Sequence, residues 1–224
     1  MGAPRIGLVD SGGPADAMQG ACLFLPDGQA EARPDRLGHG TACAALIARA
    51  APGARLLHAQ VFHDRPVTSA DRVARAILWL IPQADLIVMS LGLPADRAPL
   101  ADACAQTQRA GVAMVASAPA RGGPCWPAAY PGVIAASGDA RCGWDDLSLL
   151  PGRRIGAWCA SPEQGAAGMG AAATGGAAMG GASLAAARVA GHLAAHWPEA
   201  RHHPELWLAA RAAHVGAERR GVPA

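Results

Sequence analysis

Gly180-Gly181-Ala182-Ser183-Leu184-Ala185-Ala186-Ala187-Arg188-Val189-Ala190-Gly191 joins a flexible turn, a hydroxyl and a helix-forming run in one short segment. The paired glycines permit a sharp backbone turn and leave room for another chain to approach. From Leu184 to Ala195 alanine, leucine and valine dominate and predict a helix, with Gly191 a tolerated weak point inside it. Ser183 stands where the turn meets the helix. A hydroxyl there either caps the helix N-terminus or lies at its positive end, where an oxyanion formed during acyl transfer would be stabilised. The segment alone is compatible with both roles.

Upstream, Arg5-Ile6-Gly7-Leu8-Val9-Asp10-Ser11-Gly12 is a short apolar strand that ends in a carboxylate followed by turn residues. Active-site groups collect at the carboxyl ends of strands in open α/β sheets, so Asp10 is a candidate for such a group or for a turn cap. Gly38-His39-Gly40-Thr41-Ala42-Cys43-Ala44-Ala45-Leu46-Ile47 sets a histidine between glycines at the start of an alanine-rich helix. A histidine so placed is either a general base near neutral pH or a structural residue. Cys43, one turn further along, is either a packed thiol or a group near the site open to thiol reagents.

Further apolar runs predict strands at Ala21–Leu25, Leu56–Phe62, Asp85–Gly92, Val112–Ala116, Val133–Ser137 and Ile155–Cys159. Helices are expected after a cap at Ser69 to about Ile81, with Val73, Ile77, Leu80 and Ile81 on one face, from Leu100 to Ala110, and from Glu205 to His214. The remainder of Gly13–Leu37, the charged stretch Gly143–Gly156 and the small-residue stretch Gly165–Gly181 are expected to be loops, and the last ten residues to fray. Strands that are apolar throughout and alternate with helices predict a three-layer α/β fold, a mostly parallel central sheet flanked by helices.

Composition narrows the functional classes. A chain of 224 residues, 51% hydrophobic, is expected to form a single compact domain over 1–224 with a sizeable core. All nineteen basic residues are arginine, scattered without aromatic–basic clusters, and the net charge is +2, which argues against a nucleic-acid partner. The chain contains no lysine and no asparagine. Its cysteines (Cys22, Cys43, Cys104, Cys125, Cys142, Cys159) form no Cys-x-x-Cys pair, and His196, His202 and His203 lack metal-site spacing, so no metal or cofactor is expected. The run Gln164–Ala187 is long but mostly glycine and alanine, which argues against a membrane span. Gly168-Met169-Gly170-Ala171-Ala172-Ala173 imitates a dinucleotide fingerprint but lacks the following acidic residue. The chain opens on its first strand without signal-peptide character, so it is expected in the cytoplasm and without a prodomain.

Asp10 in Val-Asp-Ser-Gly, His39 in Gly-His-Gly-Thr and Ser183 in Gly-Ala-Ser-Leu-Ala-Ala-Ala-Arg-Val-Ala-Gly resemble, in order and context, the motifs of the subtilisin-like serine proteases. Asp85–Gly92 is similar to that family's substrate-lining strand, and Tyr130-Pro131-Gly132-Val133-Ile134-Ala135 to the segment after its second specificity strand. The resemblance implies a subtilisin-like fold and a catalytic triad in which Ser183 attacks the peptide carbonyl, His39 shuttles the proton and Asp10 orients the imidazole. It also implies that Ser90, Leu91 and Gly92 on one side, and Ala116, Ser117 and Ala118 on the other, hold a peptide substrate as an added strand.

The departures fall in the oxyanion region. Ala120 occupies the place of the family's usual asparagine, Pro119 that of a glycine on the specificity-pocket floor, Ala182 that of a threonine, and Arg188 that of a histidine. Arg121, next to the gap, is the candidate substitute donor. Loss of the asparagine donor costs related enzymes on the order of 10²–10³ in turnover. The resemblance therefore leads to the expectation of a restricted maturation endopeptidase that removes a leader from a specific peptide or small protein, alongside peptide-modifying enzymes. In size and altered oxyanion region the chain resembles the processing proteases that accompany peptide-modifying enzymes, including the one for the crosslinked small subunit of quinohemoprotein amine dehydrogenase. The alternative is a catalytically weak or inactive protease fold serving as a peptide-binding chaperone or scaffold.

Overall fold

The computed structural model describes residues 2–17, 20–160 and 181–217. Its strands are β1 (Arg5–Asp10), β2 (Cys22–Leu25), β3 (Gly28–Glu31), β4 (Arg55–Gln60), β5 (Leu86–Met89), β6 (Ala113–Ser117), β7 (Val133–Gly138), β8 (Leu147–Leu150), β9 (Arg154–Ala157) and β10 (Ala212–Val215). Its α-helices are α1 (His39–Ala50), α2 (Ala70–Leu80), α3 (Ala98–Arg109), α4 (Ala182–Ala195), α5 (Trp197–Ala200) and α6 (Pro204–Ala210).

Among the described residues the strands form one sheet in the order β10-β8-β9-β7-β6-β5-β1-β4-β2-β3. All pairings are parallel except β2 with β3 and β8 with β9. The apolar runs are continuous because both faces of the sheet are covered. Ile6, Leu8, Leu86, Val88 and Val115 pack into a core shared with α1, α4, α5 and α6. Their neighbours Val9, Ile87, Met89, Met114 and Ala116 pack into a second core against α2 and α3. This is the expected three-layer arrangement. Parallel β1, β5 and β6 end at one edge, so Asp10, Ser90 and Ala118 gather there, at the kind of crevice where α/β sheets bind ligands.

Three strands depart from expectation. β3 lies in the expected loop Gly13–Leu37 and pairs with β2 as an antiparallel edge. β8 lies in the expected loop Gly143–Gly156, where Leu147 and Leu150 are buried and Ser148 Oγ donates to buried Asp139. The last helix ends at Ala210, and Ala212–Val215 pairs with β8 as a strand instead of continuing to His214. Arg141, clamped by Asp139, donates to the Gly216 carbonyl and so anchors this end of the chain. Most of the expected Gly165–Gly181 loop, the Gly168–Ala173 segment and residues 218–224 lie outside the described residues. No helix among the described residues is long and apolar enough to cross a membrane.

Gly191 turns out to be more than tolerated. A Cβ there would stand 2.6 Å from the Ala50 Cβ and 3.7 Å from the Ile47 Cα, so its absence lets α4 lie directly against α1. The helices that begin with His39 and carry Ser183 are thereby held together. We expect Gly191→Val to destabilise the protein by about 1–3 kcal/mol through overpacking, seen as a lower urea midpoint, although valine would remove the flexibility of glycine from the unfolded chain.

Candidate active site

Asp10 closes β1 and is fully buried. Its carboxylate accepts the Ser11 N–H at 2.7 Å and faces His39 Nδ1 with both oxygens, at 2.8 and 2.9 Å. The turn that delivers this pair is locked from several sides. Ser11 Oγ accepts the Gly40 N–H at 2.9 Å, Gln60 Nε2 donates to the Ser11 carbonyl at 2.8 Å, and His58 Nδ1 lies 3.1 Å from the Gly12 carbonyl. The glycines flanking His39 have separate reasons. Gly38 adopts φ +73°, a left-handed conformation, and a Cβ on Gly40 would collide with the Gly12 carbonyl oxygen.

Asp35 organises the start of α1. One of its oxygens accepts the N–H groups of Leu37 (3.0 Å) and Gly38 (2.9 Å), and the other accepts the Thr41 N–H (2.8 Å) and Thr41 Oγ1 (2.9 Å). Its charge also reaches His39. Burial pushes the His39 pKa down, but the hydrogen bond and charge of Asp10, joined by the charge of Asp35, outweigh burial and leave it above the ordinary value of 6.5. The proton on Nδ1 is thus held toward Asp10, which leaves Nε2 as the ring's acceptor when the imidazole is neutral.

Ser183 is the second residue of α4, inside its first turn, and does not cap the helix. Its Oγ donates to the Ser90 carbonyl at 3.1 Å, and Ser90 Oγ donates back to the Ser183 carbonyl at 3.3 Å. This reciprocal pair ties the start of α4 to the end of β5. Among the described residues the resting hydroxyl is thus bonded to Ser90 and not to His39; catalytic hydrogen bonds are often loose before substrate binds. Cys43 is fully buried beneath the pair, and burial followed by the Asp10 charge drives its thiol pKa well up. It is a packed, protonated thiol. Asp10, His39 and Cys43 each place a possible ligand atom within 4.8 Å of the others.

Ser90, Leu91 and Gly92 continue beyond β5 as a wall of a cleft of about 700 Å³, with Asp10 and His39 also lining it. Leu37, Phe62, Val67 and Leu93 give it an apolar character, and none of these was singled out from sequence. Ser117 Oγ donates to the Leu91 carbonyl at 2.9 Å, which joins the two expected substrate segments, Ser90–Gly92 and Ala116–Ala118. Ala120 and Arg121 lie exposed on the loop after β6, and Ala182 begins α4. Arg188 belongs to a different assembly. It is buried, stacks on Trp144 at 3.8 Å and donates to the Trp144 carbonyl at 2.6 Å.

A parallel α/β sheet with a buried carboxylate–histidine pair and a serine at a helix start along one edge is the architecture of a serine-hydrolase class. The model of the subtilase family matches residues 22–213, and the chain belongs to that family. Asp10 precedes the matched span, so its pairing with His39 rests on the geometry above. Subtilisin-like protease het-Q2 of Podospora anserina is 36% identical in an alignment of 152 residues that covers 62% of this chain and 40% of that protein. The chain therefore spans well under half of that relative's length. The solved structure of S41 Psychrophilic Protease superposes with a TM-score of 0.68 at 20% identity, covering 94% of this chain and 83% of the other, a likeness of fold.

The Asp35 charge makes a pH prediction. In Asp35→Asn the His39 titration midpoint, followed by NMR, should fall below that of the wild type. The variant should also lose about 1 kcal/mol as Thr41 loses its acceptor. An unchanged midpoint would show that Asp10 alone sets the His39 charge.

Proposed function

We propose that this protein is a serine endopeptidase in which Asp10, His39 and Ser183 form the catalytic triad. The observation that carries this reading is the two-oxygen contact of buried Asp10 with His39 Nδ1. It lies at the same sheet edge as the Ser90 segment to which Ser183 is bonded. In this mechanism neutral His39 takes the Ser183 proton as Oγ attacks a peptide carbonyl, Asp10 stabilises the resulting imidazolium, and His39 then protonates the leaving amine. The N–H groups in the first turn of α4 face the developing oxyanion. Ser90–Gly92 and Ala116–Ala118 hold the substrate as an extended strand.

The substrate class is a specific peptide or small protein whose leader is removed during maturation, in company with peptide-modifying enzymes, and the setting is the cytoplasm. The free thiols of Cys22, Cys43, Cys104, Cys125 and Cys142 are compatible with a reducing compartment. The altered oxyanion region supports restricted activity, since Ala120 offers no side-chain donor. The same feature, together with the Ser183 bond to Ser90, favours the second reading of a peptide-binding scaffold.

Treatment with a fluorophosphonate followed by intact mass separates the two. One adduct on the wild type and none on Ser183→Ala is expected; folded protein that takes no label favours the scaffold. If the hole lacks only its side-chain donor, Ala120→Asn should raise kcat about tenfold with little change in KM. A kcat unchanged in that variant would locate the oxyanion donors elsewhere.

A further inference from the structure

A second cavity, about 360 Å³, lies behind the Ser90–Gly92 wall. Its lining includes Ala118, Pro119, Gly122, Cys125, Ala128 and Arg154. Cys125 joins it to the active-site cleft, because the Cys125 sulfur packs so closely on Gly92 that a Cβ at Gly92 would collide with it. Leu93 and Trp126 also bridge as an antiparallel pair, with N–H to carbonyl distances of 2.7 and 3.0 Å. The cleft with Asp10 and His39 and the cavity with Arg154 thus flank one stretch of backbone.

The charge of this cavity is unbalanced. Arg154 is the one charged residue among its described lining residues. Its Nη1 donates to the Pro119 carbonyl at 2.9 Å and its Nε to the Pro151 carbonyl at 3.2 Å, which fixes the guanidinium without neutralising it. The preceding arginine is different. Arg153 is paired with Glu205 at 2.8 Å. Arg121, exposed on the loop that continues from Pro119, has no hydrogen-bond or ion-pair partner among the described residues and adds a second cation near the cavity.

We propose that Arg154 makes this cavity a receptor for an acidic side chain of the substrate, a proposal that rests on the peptide-binding reading above. Successive side chains of an extended peptide point to opposite sides. A peptide running along Ser90–Gly92, the stretch that the cleft and the cavity flank, would therefore direct one side chain toward Arg154 and its neighbour toward the apolar cleft of Leu37, Phe62, Val67, Leu91 and Leu93. The substrate class is a peptide with Asp or Glu next to a bulky apolar residue. Small walls of alanine, glycine and proline leave the carboxylate to meet the guanidinium, whose fork suits a carboxylate.

The test uses a positional library of internally quenched peptides, each carrying Glu, Gln or Lys at one position beside a fixed leucine. Cleavage is read with the wild type, and equilibrium binding of the same peptides with Ser183→Ala. Both should favour Glu over Gln by about tenfold to a hundredfold. Arg154→Gln should level that preference and Arg154→Glu should turn it toward Lys, with circular dichroism confirming that both variants fold. Binding preference without hydrolysis would support the acidic receptor and overturn the endopeptidase reading. Hydrolysis without acidic preference would overturn the receptor and leave the endopeptidase standing. A Glu preference that survives Arg154→Gln, or no discrimination in either assay, also overturns the receptor.

Discussion

A buried carboxylate governs this molecule. Asp10 has no exposure to water, and removing an ion from solvent costs several kcal/mol unless charge and hydrogen bonds replace the lost hydration. His39 and the Ser11 N–H are the replacements, and each fixes more of the chain. Keeping His39 over Asp10 requires α1 to start where it does, which Asp35 enforces through four donors. Holding Ser11 in place requires Gln60 at the end of the adjacent strand. The sheet edge is therefore tightly determined where the proposed chemistry occurs.

The central sheet was legible because its strands are apolar on both faces, and helices between parallel strands leave few alternative arrangements. Ser69 was legible as a cap, and its Oγ does accept the Arg72 N–H. The missed strands β3, β8 and β10 have four residues each, and pairing partners rather than their own pattern define them. Alanine and arginine at Ala209–Ala213 favour a helix locally, whereas the pairing with β8 and the Arg141 anchor impose the strand.

At the site, Asp10, His39 and Ser183 stood out because strand-end carboxylate, glycine-flanked histidine and serine at a helix start are local patterns. Their supporting partners were hidden by distance along the chain. Ser90 and Ser183 are 93 residues apart, and nothing near either announces the reciprocal bond. Asp35 offered a faint signal, an acidic residue shortly before a predicted helix, but four converging donors are a property of the folded loop. Arg154 was equally silent, since only the fold distinguishes it from Arg153.

The two outermost strands also shape how the molecule meets its own copies. β3 at one end of the sheet and β10 at the other are each four residues long, and β10 is interrupted by a register shift between Ala212 and His214. A flat, long border would present a ladder of unpaired amides to another molecule. Among the described residues these short borders offer few unpaired amides for a second chain to align with.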